Sequence, residues 1–318
     1  MISKIIDRNS SDMRLDRFMR QAFPSESLSI LFATIRKKKV RVNGTVAKAT
    51  ILLKEGDTVD IYETLNEDSI KEQPAQGWGK MATFCDPQFL KENLSIILEM
   101  EDFIIVDKPS GIASQPGSQM REGETLVDML WQWGLNEKHD FKPTLVHRLD
   151  RETSGLIIAA IHGDVLRSLT KMFREHQVKK YYRALVKGNL EQEKGSIKTA
   201  LERSDSSKGA KMKINEDGGK ESVTHYEVER HFFGMDLVKI RLETGRMHQI
   251  RAHFASIGHP LAGDGRYGDF AWNRELRKKY NLDRLFLHSS RLEFEWKGDK
   301  IVADSKLPIE LRQVIRAL

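Results

Sequence analysis

Cysteine is nearly absent from this chain: Cys85 is the only one among 318 residues. An internal disulfide is therefore excluded, and so is a metal cluster built on cysteines. Long hydrophobic runs are missing too. No apolar stretch approaches the ~20 residues that a membrane-spanning helix needs. The opening Met1-Ile2-Ser3-Lys4-Ile5-Ile6-Asp7-Arg8 lacks the apolar core of a secretory leader. These absences predict a cytoplasmic protein. There is no short-period repeat and no low-complexity tract. The glycine-rich run Gly263-Asp264-Gly265-Arg266-Tyr267-Gly268 lacks the Gly-Lys-Ser/Thr ending of a phosphate loop.

Charge and apolar residues, by contrast, are plentiful. Apolar residues make up 39% and charged residues 31%, the balance of a folded chain rather than a disordered one. The length suffices for two domains. The net charge is +6, and it is clustered: Met13 to Ile61 holds ten Lys/Arg against five Asp/Glu. A clustered basic surface is the electrostatic footprint of a polyanion binder.

That basic segment has a readable order. Leu15, Phe18 and Met19 share one face of a short helix that Pro24 ends. Leu28, Leu31, Phe32 and Ile35 recur at helical spacing over Ser27 to Arg36, and Lys37-Lys38-Lys39 follows where cations suit the helix dipole. Val40 to Val46 then alternates around Asn43-Gly44, a strong hairpin signal. From Glu63 to Asn93 the periodicity fades around Pro74, Gly77, Gly79 and Pro87, which predicts a linker with some extended structure. Trp78 and Phe84 are its candidate anchors. The expected organisation is a basic module over 1–62, a linker over 63–93 and a larger domain over 94–318.

The larger domain contains the most informative stretch, His147-Arg148-Leu149-Asp150-Arg151-Glu152-Thr153-Ser154-Gly155, running into Leu156-Ile157-Ile158. A carboxylate next to a buried strand is costly unless cations compensate. An ionised, partly desolvated carboxylate is a nucleophile or a general base. The plainer reading, a structural ion pair or turn cap, explains Asp150 alone but not the segments that follow. Helical spacing is expected over Gly123 to Trp133 and Gly163 to Val178. Strands are expected over Tyr181 to Val186, Ser222 to Val228, Leu237 to Leu242, Phe286 to His288 and Leu292 to Trp296. This pattern predicts an α+β domain on an extended mixed, mainly antiparallel sheet with flanking helices.

The spacing HRLDxxTSG resembles the catalytic motif of the RluA-type pseudouridine synthases. Further blocks are similar: Lys180 to Gly188 fits K-x-Y-x-A-x-V-x-G, Thr244 to His253 reads TGRMHQIRAH, and Arg284 to Ser289 follows R-L-x-L-H-A with Ser289 in place of alanine. The resemblance spans the whole chain. It is greatest to the RluC-like branch, which acts on large-subunit ribosomal RNA, and the "RLDRF" and "VRVNG" segments look like an S4-type RNA-binding domain. By resemblance Asp150 is the essential residue, Arg246 its guanidinium partner, and Tyr182 stacks on the uracil. Arg148 fills the space left by a flipped base and Leu287 forms an apolar wall. Arg36, Lys37, Lys38, Lys39 and Arg41 grip RNA backbone.

The resemblance implies an isomerase with no cofactor, ribosomal RNA as partner, and a monomer by default. Whether Asp150 adds to C1′, adds to C6 or removes a 2′ proton stays open. His248 and His253 are five apart, the wrong spacing for a helical zinc pair, so no metal is expected. Two other classes compete. An RNA-binding assembly factor needs only the basic module and predicts nothing about Asp150, Tyr182 and Arg246 together. A glycoside-type hydrolase needs a second carboxylate, and Glu152 is offset from Asp150 by two positions.

Overall fold

The computed structural model describes residues 1–63, 65, 84–116, 123–204, 211–215 and 217–318. The first unit contains β1 (Ile2–Ile5), α1 (Leu15–Ala22), α2 (Leu28–Arg36), β2 (Val40–Val42), β3 (Thr45–Val46) and β4 (Thr58–Ile61). The four strands order as β1-β4-β2-β3. Ser27 caps α2, accepting from the Ile30 N–H. Asn43 and Gly44 both sit at positive φ in the β2–β3 turn, as a tight hairpin requires. A separate small core, including Leu15, Met19, Leu31, Val40, Val59 and Ile61, joins helices to sheet. It reaches Leu65, three residues past the expected boundary.

The rest contains α3 (Pro87–Asn93), β5 (Ser95–Glu99), β6 (Phe103–Lys108), α4 (Leu126–Asn136), β7 (Thr144–Leu145), β8 (Ser154–Ala160), α5 (Gly163–Arg174), β9 (Lys179–Lys187), β10 (Lys194–Ser204) and β11 (Lys211–Ile214). It continues with β12 (Lys220–Phe232), β13 (Met235–Leu242), α6 (Gln249–Ser256), α7 (Phe270–Tyr280), β14 (Leu287–Trp296), β15 (Asp299–Asp304) and α8 (Ile309–Ala317). The strands form one sheet, ordered β11-β10-β12-β13-β9-β14-β8-β6-β5, with β15 beside β14 and β7 beside β8. Every described pair in it is antiparallel except β14 with β8. The expected α+β architecture is what the chain adopts.

Several expectations are refined. The strands anticipated over 286–288 and 292–296 are one strand, β14, whose pairing with β9 shifts register between Ser289 and Arg291. The end of the expected linker is helix α3, because Asp86 caps it and Pro87 pre-sets its first turn. Phe84 packs edge-on against Trp131 with centroids 5.4 Å apart. Trp78 and most of the linker lie outside the described residues.

β8 is buried along its whole length, which is why its sequence is a continuous apolar run rather than an alternating one. One face of it packs with β6, α4 and β9 in the largest core cluster; the other meets α5, β14 and β15. The strand therefore delivers the loop before it, residues 147–153, to a fixed place.

Candidate active site

Asp150 stands in a short loop between β7 and β8, held from several sides. The Thr153 N–H donates to the Asp150 carbonyl at 3.1 Å. The Ser114 hydroxyl donates to the Leu149 carbonyl at 2.8 Å and accepts from the Leu149 N–H. Arg151 donates to the Gly111 carbonyl, and Ser110 to that of Glu152. Beneath them lies Lys108, fully buried, its ammonium donating to the carbonyls of Pro109, Ile112 and Arg151. Burial pushes its pKa down to about 7. Three carbonyl acceptors, one for each ammonium proton, favour the charged form and offset that push. The role of Lys108 is visible only once the 108–114 and 149–152 segments are seen to share its three bonds.

The cationic partner of Asp150 is Arg251, not the expected Arg246. Arg251 Nη1 donates to Asp150 Oδ2 at 3.2 Å. Its other two donors form a bidentate pair with Asp264, at 2.7 and 2.8 Å. Asp264 is itself buried and accepts from the N–H groups of Arg266 and Tyr267. Arg251 thereby holds the Asp264 carboxyl below its usual range despite burial, and the two carboxylates keep Arg251 firmly protonated. The glycine-rich run around 263–268 is thus an anchor for this arginine.

The reason is local. Arg246 precedes α6 in a loop pinned by Gln249, whose side-chain oxygen accepts from Thr244 Oγ1 and the Arg246 N–H. His248 then adopts a left-handed conformation, φ 52°, at the helix start. Arg251, in the first turn of that helix, faces Asp150. No ion pair joins Arg246 to Asp150 among the described residues; Arg246 instead lines the same cavity. His248 Nε2 lies 3.7 Å from Asp150 Oδ2, and its Nδ1 is 3.0 Å from the Tyr267 hydroxyl.

Tyr182 comes from β9 and Leu287 from β14, adjacent strands in which Leu287 pairs with Ala184 and Ser289 with Tyr182. Strand alternation puts Tyr182, Leu287 and Ser289 on one face. Tyr182 is 6% exposed. Burial, reinforced by the charge of Asp150, raises its pKa, while the facing Ser289 hydroxyl opposes the rise. The phenol is neutral at physiological pH.

Three cavities meet at Arg148 and Asp150. A narrow one of about 60 Å³ is lined by Tyr182, Leu287, Arg246 and Arg251. A second of about 560 Å³ extends past Arg151 and Arg266. A third of about 450 Å³ extends past Arg203, Lys220 and Arg246. Arg148 is exposed at their junction, and the Asp150 side chain keeps 19% of its surface. The acid is reachable, cation-flanked and faced by an aromatic ring.

The other motif histidines are structural. His147 stacks on Phe173 at 4.5 Å and accepts from the Ile158 N–H. His253 is buried with Nε2 3.1 Å from Thr199 Oγ1. Among the described residues no group of His, Cys, Asp and Glu is arranged to hold a metal.

The five expected RNA-contact residues lie elsewhere, on the first unit. Arg36, Lys37, Lys38 and Arg41 are exposed. Arg41 lies over the Tyr62 ring at 5.2 Å, and Lys39 pairs with Glu63 at 2.8 Å.

A small basic sheet-and-helix unit joined to a sheet domain whose cavities meet at an arginine-held carboxylate has the parts of an enzyme that acts on RNA. Comparison with known proteins sharpens this. Residues 102–256 match the RNA pseudouridylate synthase family model, and residues 13–59 match the S4 domain. Ribosomal large subunit pseudouridine synthase C of Vibrio cholerae is 32% identical over 96% of this chain and 92% of its own length. The Escherichia coli protein of the same name is 32% identical over the same shares. Among solved structures, human RNA pseudouridylate synthase domain containing 1 aligns with a TM-score of 0.57 and 27% identity, covering 68% of this chain and 84% of that one. The chain belongs to the RNA pseudouridylate synthase family. It is an isomerase that converts uridine in RNA to pseudouridine.

Proposed function

We propose that this enzyme isomerises specific uridines in large-subunit ribosomal RNA, acting as a cytoplasmic monomer. Relatives at 32% identity over most of the chain are named for the ribosomal large subunit, which supports this reading. The observation that carries the chemistry is the reachable Asp150 carboxylate, held by Arg251 opposite Tyr182 and Leu287.

The reaction breaks the C1′–N1 bond, turns the uracil and joins C5 to C1′. The C5 proton leaves and N1 gains one, so atoms and oxidation state balance without a cofactor. A uridine must first leave its stack, at a cost of a few kcal/mol. Arg148, exposed at the mouth, occupies the gap that the base vacates. Leu287 and Tyr182 sandwich the uracil, and the arginines around the two larger cavities take the flanking phosphates. Asp150 acts on the sugar or the base from a fixed orientation. A neutral Tyr182 hydroxyl suits proton relay at the ring better than a phenolate would. Arg36, Lys37, Lys38, Lys39 and Arg41 hold RNA backbone outside the pocket, Lys39 after exchanging Glu63 for phosphate.

Purified protein incubated with unmodified large-subunit ribosomal RNA is expected to produce pseudouridine at a few discrete positions without added cofactor. The same positions should revert to uridine in cells lacking the gene. Unchanged ribosomal RNA in both experiments would overturn the substrate assignment.

A further inference from the structure

The first unit has an apolar feature that backbone gripping does not use. Between α2 and the chain that follows β3 lies a hollow of about 630 Å³. Phe32 and Val46 line it and are 42% and 45% exposed. Neither belongs to the buried core of the unit, which uses Leu31 and Ile35 from the same helix. Arg36, Lys38 and Lys48 stand at its rim. From Arg36 to Lys48 the chain holds six cations and no acid.

An exposed apolar hollow marks a binding site more often than an accident. Its charge decides what binds. A second copy of this chain would bring the same cations to the contact and be repelled. An RNA strand brings phosphates for the rim and flat apolar rings for the interior. Base stacking on an aromatic ring, assisted by neighbouring arginine, is a sequence-tolerant source of affinity.

We propose that this hollow seats one unstacked nucleobase of the RNA strand whose phosphates the surrounding cations hold, with Phe32 as the stacking platform. The inference rests on the RNA-binding reading of this unit and adds a base-binding subsite to it. The module then prefers RNA with an unpaired nucleotide next to the gripped backbone, and it discriminates against continuous duplex.

The test uses the full chain and two single-stranded RNA dodecamers, oligo-uridine and the same backbone without bases, with affinity measured as a function of salt. Phe32→Ala, an exposed position, is expected to weaken oligo-uridine binding about fivefold or more. It should leave the salt slope and the affinity for the abasic strand unchanged. The double variant Lys38→Ala, Lys48→Ala should instead reduce the salt slope for both strands. Phe32→Trp should keep affinity and show fluorescence quenching on oligo-uridine only. If the lysine changes weaken binding but Phe32→Ala does not, the hollow is not a base site, although the unit still binds RNA. If neither change matters, the RNA-binding reading itself fails and takes the subsite with it. A Phe32→Ala variant that dissociates a dimer in sedimentation would assign the hollow to a protein contact and overturn the proposal.

Discussion

At the scale of single residues, the site depends on one guanidinium shared by two carboxylates. Asp264 orients Arg251 through two bonds and leaves the third nitrogen for Asp150. Lysine has no planar fork and cannot serve both acids at once. Arg251→Lys should therefore lower kcat about a hundredfold with little change in KM, since small misplacements of a reacting group have effects of that order. Arg246→Lys should change KM more than kcat, because Arg246 lines the cavity without bonding Asp150. Steady-state kinetics of the two variants on one RNA would separate them; equal kcat losses would contradict the assignment of Arg251. Which arginine faces the acid was not legible in the sequence. Both fall in one motif, and between them the chain passes from a loop into a helix through a left-handed His248. A non-glycine residue in that conformation is uncommon and unmarked in a sequence. That Asp150 and Tyr182 line one cavity agrees with the motifs that contain them: one is an acid shortly ahead of a buried strand, the other a tyrosine whose strand face follows from alternation.

At the scale of elements, the parallel contact between β8 and β14 brings the Asp150 loop beside the strand that carries Leu287. Its tightest point is Gly155, which pairs with Ser289 and has φ 114°. A Cβ there would sit 2.2 Å from the Ser289 carbonyl oxygen. Gly155→Ala should destabilise the protein by about 3 kcal/mol or more, combining backbone strain with a clash that neither strand can relieve. Denaturant unfolding measures it, and a loss under 1 kcal/mol would show that the strands part easily. The elements near this contact were largely foreseen, because apolar runs and alternation are strong signals. Helix α3 was not, since its seven residues bury none of their side chains fully and show no periodic face. β10, β11 and β15 were missed because their apolar residues alternate weakly among charges.

At the scale of the whole molecule, the two units touch through Arg8 and Asn9. Arg8 pairs with Asp102 and Asp164, and the Gly163 N–H donates to the Asn9 side chain. No helix is long and apolar enough to cross a membrane among the described residues. Three buried histidines of the domain that carries the site are held far below the ordinary imidazole range. Burial, the leading cause in each case, lowers His147 to about 3 and both His253 and His288 to about 4. The unfolded chain binds these protons near pH 6.5 while the folded protein does not. Stability should thus be flat in these groups above pH 6.5 and fall as pH drops toward 4, each contributing up to about 1.4 kcal/mol per pH unit. Thermal unfolding at pH 7.5 and 5 should show a clearly lower Tm at pH 5. Equal values would mean that these rings are protonated without unfolding.

The central claim is that Asp150 performs the isomerisation and that RNA binding is separable from it. Release of tritium from RNA labelled at uridine C5 tests this most directly. Asp150→Asn nearly preserves the shape of the side chain and removes its charge. RNA affinity close to that of the unaltered protein and no measurable tritium release are expected. Substantial release by Asp150→Asn would contradict the claim.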